Sequence, residues 1–165
     1  MTGQERRRLI IEILLSSKDP IPGYKLADEF NVSRQVIVQD IALLRAERNN
    51  IMATSRGYLI YSNHNNLKKR VVATNHNSNK IEEELRIVVD YGGRLLNVII
   101  EHDVYGDIKA DLMIETENDI KNFLTKMKEN KALPLMALTN GEHYHTIEAK
   151  NDKILDIIEK ELNNL

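Results

Sequence analysis

The chain has 165 residues, 42% hydrophobic and 29% charged, with no cysteine, which excludes disulfides and thiolate metal sites and leaves any metal to His, Asp or Glu. It has no apolar run long enough to span a bilayer and no secretion signal behind Arg6, Arg7 and Arg8, so a cytoplasmic protein without a membrane partner is expected. The formal charge of −2 hides an asymmetry: residues 1–73 hold 12 Lys and Arg against 7 Asp and Glu (+5), and residues 74–165 hold 11 against 18 (−7). That division fits a nucleic-acid-binding module joined to a regulatory one.

Gln4 to Ser17 reads as a helix, because Leu9, Ile10, Ile13 and Leu14 recur at helical spacing while Arg6, Arg7, Arg8 and Glu12 fill the other face. Asp19-Pro20-Ile21-Pro22-Gly23 ends it. A short second helix follows over Tyr24 to Phe30, with Leu26, Ala27 and Phe30 inward. Asn31-Val32 is a tight turn, and Ser33 is placed to cap a third helix running to about Asn49. Val36, Ile37, Ile41, Leu43 and Leu44 are its expected core face. Ile51 to Tyr61 reads as two short strands around a turn at Ser55-Arg56-Gly57.

Helix, turn, helix and hairpin in this order make a DNA reader. The exposed start of a recognition helix needs short polar or basic residues. Ser33, Arg34, Gln35, Val38 and Gln39 stand there. Arg forks onto guanine, Gln onto adenine, and Val touches a thymine methyl. Arg56 at the hairpin tip suits a phosphate or the minor groove. The segment from Leu26-Ala27 to Tyr58-Leu59 resembles winged-helix domains of the biotin-repressor type, which implies double-stranded DNA as the partner.

His64 to Lys69 is polar and aperiodic and reads as a linker. Beyond it, strands are expected at 70–75, 94–102 (Leu96, Val98 and Ile100 on one face), 108–115, 134–139 and 143–149. Helices are expected at 80–91, 117–129 and 152–163, and Asn140-Gly141 reads as a hairpin turn. The fold class is therefore α+β: a winged helix-turn-helix domain over 1–62 and a small α/β sandwich over 70–165.

His143 and His145 are two apart on a strand, so both imidazoles project from one face. Glu84 lies at the border of the buried face of its helix, where a carboxylate needs a partner such as a cation. His76, eight residues earlier, completes a set of three histidines and one carboxylate. On residues alone, ordinary hydrogen-bonded histidines remain the alternative.

Residues 70–165 also resemble the three-histidine domain of bacterial niacin-responsive transcriptional repressors. The matching pieces are His76 with Glu83-Glu84-Leu85, Ile87 to Gly93, His102 with Val104-Tyr105-Gly106, Leu138 to Gly141, and His143 to Ala149. The resemblance implies a divalent transition metal, nickel or zinc, on His76, Glu84, His143 and His145. It further implies nicotinic acid as effector, with His102 and Tyr105 at its site, and a homodimer on a two-fold DNA operator. Asp103 stands where the family motif has proline. Two rival readings are a sensor of the metal itself and a metal-dependent hydrolase carrying a DNA-binding domain. The second lacks a further acid or nucleophile motif, so no enzyme is expected.

Overall fold

The structure, a computed structural model, describes residues 1–61 and 66–165. The expected linker at 64–69 and the expected domain end at 62 thus fall partly outside the described residues, as does His64. The chain forms two compact units, Met1–Asn63 and His64–Leu165.

The first unit contains α1 (Gly3–Ser16), α2 (Gly23–Glu29), α3 (Arg34–Ala46), β1 (Ile51–Thr54) and β2 (Gly57–Ile60). Thr2 and Glu5 start α1 with a reciprocal capping box. Ile10 and Leu14 of α1 pack with Leu26 and Ala27 of α2 and with Ile37, Ile41 and Leu44 of α3. Helix α3 is shorter than expected because Arg48 turns left-handed at φ 67° just beyond it. Leu43, expected inward, is 50% exposed.

Strands β1 and β2 form an antiparallel hairpin. Ile21 adds a third strand position, exchanging two 2.8 Å backbone hydrogen bonds with Tyr58. This contact explains the Arg-Gly-Tyr sequence. Gly57 has φ +140°, and a Cβ there would lie 2.2 Å from the Ile21 carbonyl oxygen.

The second unit contains β3 (Lys68–Asn75), α4 (Ile81–Asp90), β4 (Arg94–His102), β5 (Gly106–Ile114), α5 (Glu117–Glu129), β6 (Glu142–Ala149) and α6 (Asp152–Asn163). The sheet runs β3-β6-β4-β5, with every neighbouring pair antiparallel. Leu85 and Val88 of α4, Ile120 of α5, and Leu155 and Ile158 of α6 pack in one core with Val72, Leu95 and Ile147 of the sheet. The α+β class read from the sequence is the fold observed.

Two local expectations change. Leu135–Thr139 is a 3-10 helix, not a strand. An apolar run of this length carries no periodicity that separates the two. Asn140 and Gly141 consequently terminate that helix, at φ 53° and 95°, instead of joining two strands. A bulge interrupts β4 between Leu95 and Asn97. It sets Leu95 opposite Ile147 and Val98 opposite His145, so Leu95 takes the core position expected for Leu96.

Candidate functional site

The start of α3 is a free-standing polar face. The Ser33 side chain accepts a hydrogen bond from the Val36 N–H at 3.3 Å, as a cap should. Ser33, Arg34, Gln35, Val38 and Gln39 are all exposed. At the hairpin tip the Thr54 hydroxyl donates to the Gly57 carbonyl and accepts the Arg56 N–H, which fixes the turn that carries Arg56. The six residues expected to read DNA thus sit on two adjacent features of one unit.

The inner side of α3 carries a residue that the sequence reading passed over. Asp40 is buried and holds Arg6 at 2.6 Å and Arg7 at 3.2 Å. Both arginines were expected on the solvent face of α1. Burying a lone carboxylate is costly, so the pair of guanidiniums ties α1 to the recognition helix. The signal was available: Ile37, Asp40, Ile41 and Leu44 share one helical face.

In the second unit, four expected residues converge. Strand β3 delivers His76 just past its end, α4 delivers Glu84, and β6 delivers His143 and His145 from its helix-covered face. The Nε2 atoms of His76, His143 and His145 lie 2.9, 2.9 and 3.0 Å from one atom, Glu84 Oε1. All four residues are buried. Each imidazole is fixed from behind. His76 Nδ1 donates to the Asn77 carbonyl at 2.9 Å, His143 Nδ1 to Gly141 at 2.7 Å, and His145 Nδ1 to Asn97 at 2.8 Å.

A carbonyl can only accept, so each Nδ1 bears the proton. In the neutral imidazoles, three Nε2 lone pairs then face one carboxylate oxygen. Acceptors gathered around a point require a cation there, either a proton or a metal ion. Imidazole donors held by backbone carbonyls are the arrangement in which histidine binds metals. His76, Glu84 and His143 bring one ligand atom each within 4.8 Å of one another, and His145 Nε2 stands beside them at 3.0 Å from Glu84 Oε1. His76 Nε2 is buried and makes no hydrogen bond, being close to Glu84 but misaligned for one. Burial alone would raise the Glu84 pKa, but the imidazoles of His143, His145 and His76 around it more than reverse this and hold the carboxyl well below its usual range. For His76, burial opposes the charge, and Glu84 with the Asn77 carbonyl outweighs it, so its pKa is raised. The residues present fit a bound metal ion.

A cavity of about 190 Å³ opens beside the cluster. Glu84, His143 and His145 form its polar wall. Apolar residues of α4, α5, the sheet and the 133–136 segment, among them Phe123, Met127 and Met136, form the rest.

Residues 69–165 match the family model of the 3H domain, and residues 6–59 that of an HTH domain. The chain is 45% identical over 159 residues to the probable transcription repressor NiaR of Thermotoga maritima, an alignment covering 96% of this chain and 90% of that protein. It is 39% identical over 159 residues to the transcription repressor NadR of Bacillus subtilis, covering 94% and 88%. This chain belongs to the NiaR-type family of transcription repressors. A NiaR-type chain is a DNA-binding regulator and not an enzyme, which sets aside the hydrolase reading. Among its described residues no helix is long and apolar enough to cross a membrane.

His102 and Tyr105 lie apart from the NiaR-type histidine cluster, in the β4–β5 hairpin. His102 Nδ1 accepts the Val104 and Tyr105 N–H groups at 3.2 Å, so its Nδ1 carries no proton, opposite to the three clustered histidines. The two rings lie 4.9 Å apart, Tyr105 is 76% exposed, and neither residue lines the cavity. Three other residues support the cluster. The Thr74 hydroxyl donates to Glu84 Oε1 at 3.2 Å. Gly141 supplies a carbonyl to His143, and a Cβ at Gly141 would lie 2.5 Å from the His76 carbonyl oxygen. Asn97 receives His145 on its carbonyl and the Thr146 N–H on its side chain at 3.0 Å, replacing a ladder bond broken by the bulge. A polar residue within Leu95-Leu96-Asn97-Val98-Ile99-Ile100 was the legible sign.

Proposed function

We propose that the second unit holds one divalent transition metal, nickel or zinc, on His76, Glu84, His143 and His145, and that nicotinic acid acts there as corepressor. The observation that carries this reading is the convergence of three Nε2 atoms on Glu84 Oε1 beside an apolar cavity. When bound, the metal supplies a cationic centre for an anionic group. Glu84 and the histidines hold that centre, and the apolar wall shields it from water. A site that sensed the metal alone would have no use for the cavity, which favours an organic effector.

The first unit, 1–62, reads double-stranded DNA through Ser33, Arg34, Gln35, Val38, Gln39 and Arg56, and 70–165 is the effector domain. The chain acts as a cytoplasmic homodimer on a two-fold operator, controlling genes for making or importing NAD precursors. An effector shifts DNA affinity only by binding one arrangement of the dimer better; a tenfold shift needs about 1.4 kcal/mol. The test is a DNA-shift assay on the upstream region of the chain's own gene. Nicotinic acid should tighten the complex when metal is present, and nicotinamide should act far more weakly because a neutral amide binds a cation less well. Equal responses with and without metal would contradict the reading.

A further inference from the structure

The cavity wall limits what part of an effector can be recognised. Among the described residues, every side chain lining it apart from Glu84, His143 and His145 is apolar. The wall contains no Lys or Arg, so an anion entering the cavity has no side-chain cation to meet. The imidazole Nδ1 atoms of His143 and His145 are already committed to the Gly141 and Asn97 carbonyls. A carboxylate must therefore lie at the ligand cluster, on the bound metal. Leu112, Phe123, Met127, Leu135 and Met136 are left to surround the rest of the molecule.

Size sets the second limit. A cavity of about 150 Å³ takes a benzene molecule. At about 190 Å³ this one has room for a six-membered ring with one small substituent. With its carboxylate at the metal end, a pyridine ring points its nitrogen toward an aliphatic or thioether wall. A ring nitrogen is an acceptor that gives up water on entry, and no side-chain donor replaces that water. The nitrogen gains nothing from being there.

We infer that this site recognises six-membered aromatic monocarboxylates as a class, by ring size and carboxylate, and does not read the ring nitrogen. The inference rests on the metal-centred reading above. It makes benzoate a ligand on a par with nicotinate.

The full chain, loaded with one equivalent of zinc, is titrated with nicotinate, benzoate and nicotinamide by calorimetry, and again after metal removal. Methionine methyl NMR on the zinc protein locates the ligand, with Met127 and Met136 in the wall and Met52 in the first unit as control. Benzoate should bind within tenfold of nicotinate or more tightly, both should shift Met127 and Met136 but not Met52, and both should lose binding without metal. Nicotinate binding with benzoate more than 100-fold weaker would overturn this inference and leave the metal-centred reading intact. Failure of both to bind the zinc protein, or equal binding without metal, would overturn both.

Discussion

Arg34 and Gln35 stand in water on a helix whose inner face alone is packed, whereas His76, Glu84, His143 and His145 are buried and share one central oxygen atom. The two regions teach opposite lessons about substitution. On the recognition face each side chain acts on its own, so its loss subtracts one contact and leaves the fold intact. In the cluster each group is held by the others, so the loss of one leaves buried acceptors or a buried carboxylate without partners.

The largest effect should follow from replacing His143 and His145 together by alanine. Metal content, read by elemental analysis of purified protein, should fall from about one ion per chain to nearly none, because two of the four proposed ligands share that strand face. Full metal content would place the ligands elsewhere and end the contrast between the two regions.

Asp40→Asn should show that the first unit also has an interlocked part. Breaking a buried ion pair costs roughly 3–5 kcal/mol, and Arg6 and Arg7 retain 14% and 24% side-chain exposure, so a loss of about 3 kcal/mol in urea unfolding is expected. A change under about 0.5 kcal/mol, typical of exposed positions, would mean that the pair contributes nothing.

Arg34→Ala and Gln35→Ala should each weaken operator binding by roughly 1–3 kcal/mol at fixed salt, with thermal unfolding unchanged. Unaltered binding in both would remove them from the reading set.

Asn97→Val keeps the carbonyl behind His145 but leaves the Thr146 N–H without its acceptor, at a cost of about 1–3 kcal/mol, part of which should appear as weaker metal binding. Asn97→Asp keeps the oxygen that accepts the Thr146 N–H and should retain more of the affinity. Competition with a chromogenic chelator reads both. Identical affinities for Val, Asp and wild type would show that the bulge holds His145 without this side chain.

The two regions also differ in how legible they were. The capped helix α3 and the hairpin followed from the order of elements, since the cap, turn and glycine are local signals. His143 and His145 were legible because a strand has period two, and Glu84 because it borders an apolar helical stripe. What escaped was non-local. Asp40 required a partner from another helix, and the role of Asn97 depends on a bulge that pairing alone creates. Gly141 read as a hairpin turn because nothing in sequence shows the His76 carbonyl beside it. His102, expected at the effector site with Tyr105, stands in a separate hairpin where its Nδ1 accepts two backbone N–H groups.

If nicotinic acid acts through a metal held by these four residues, metal and response must be lost together. The direct measurement compares wild type with the Glu84→Gln, His76→Ala double variant, each assayed for metal and titrated with nicotinic acid against operator DNA. The variant should lose both its metal and its response to nicotinic acid, while still binding the operator at its effector-free affinity. A variant without metal that responds at the same nicotinic acid concentration as wild type would contradict this mechanism.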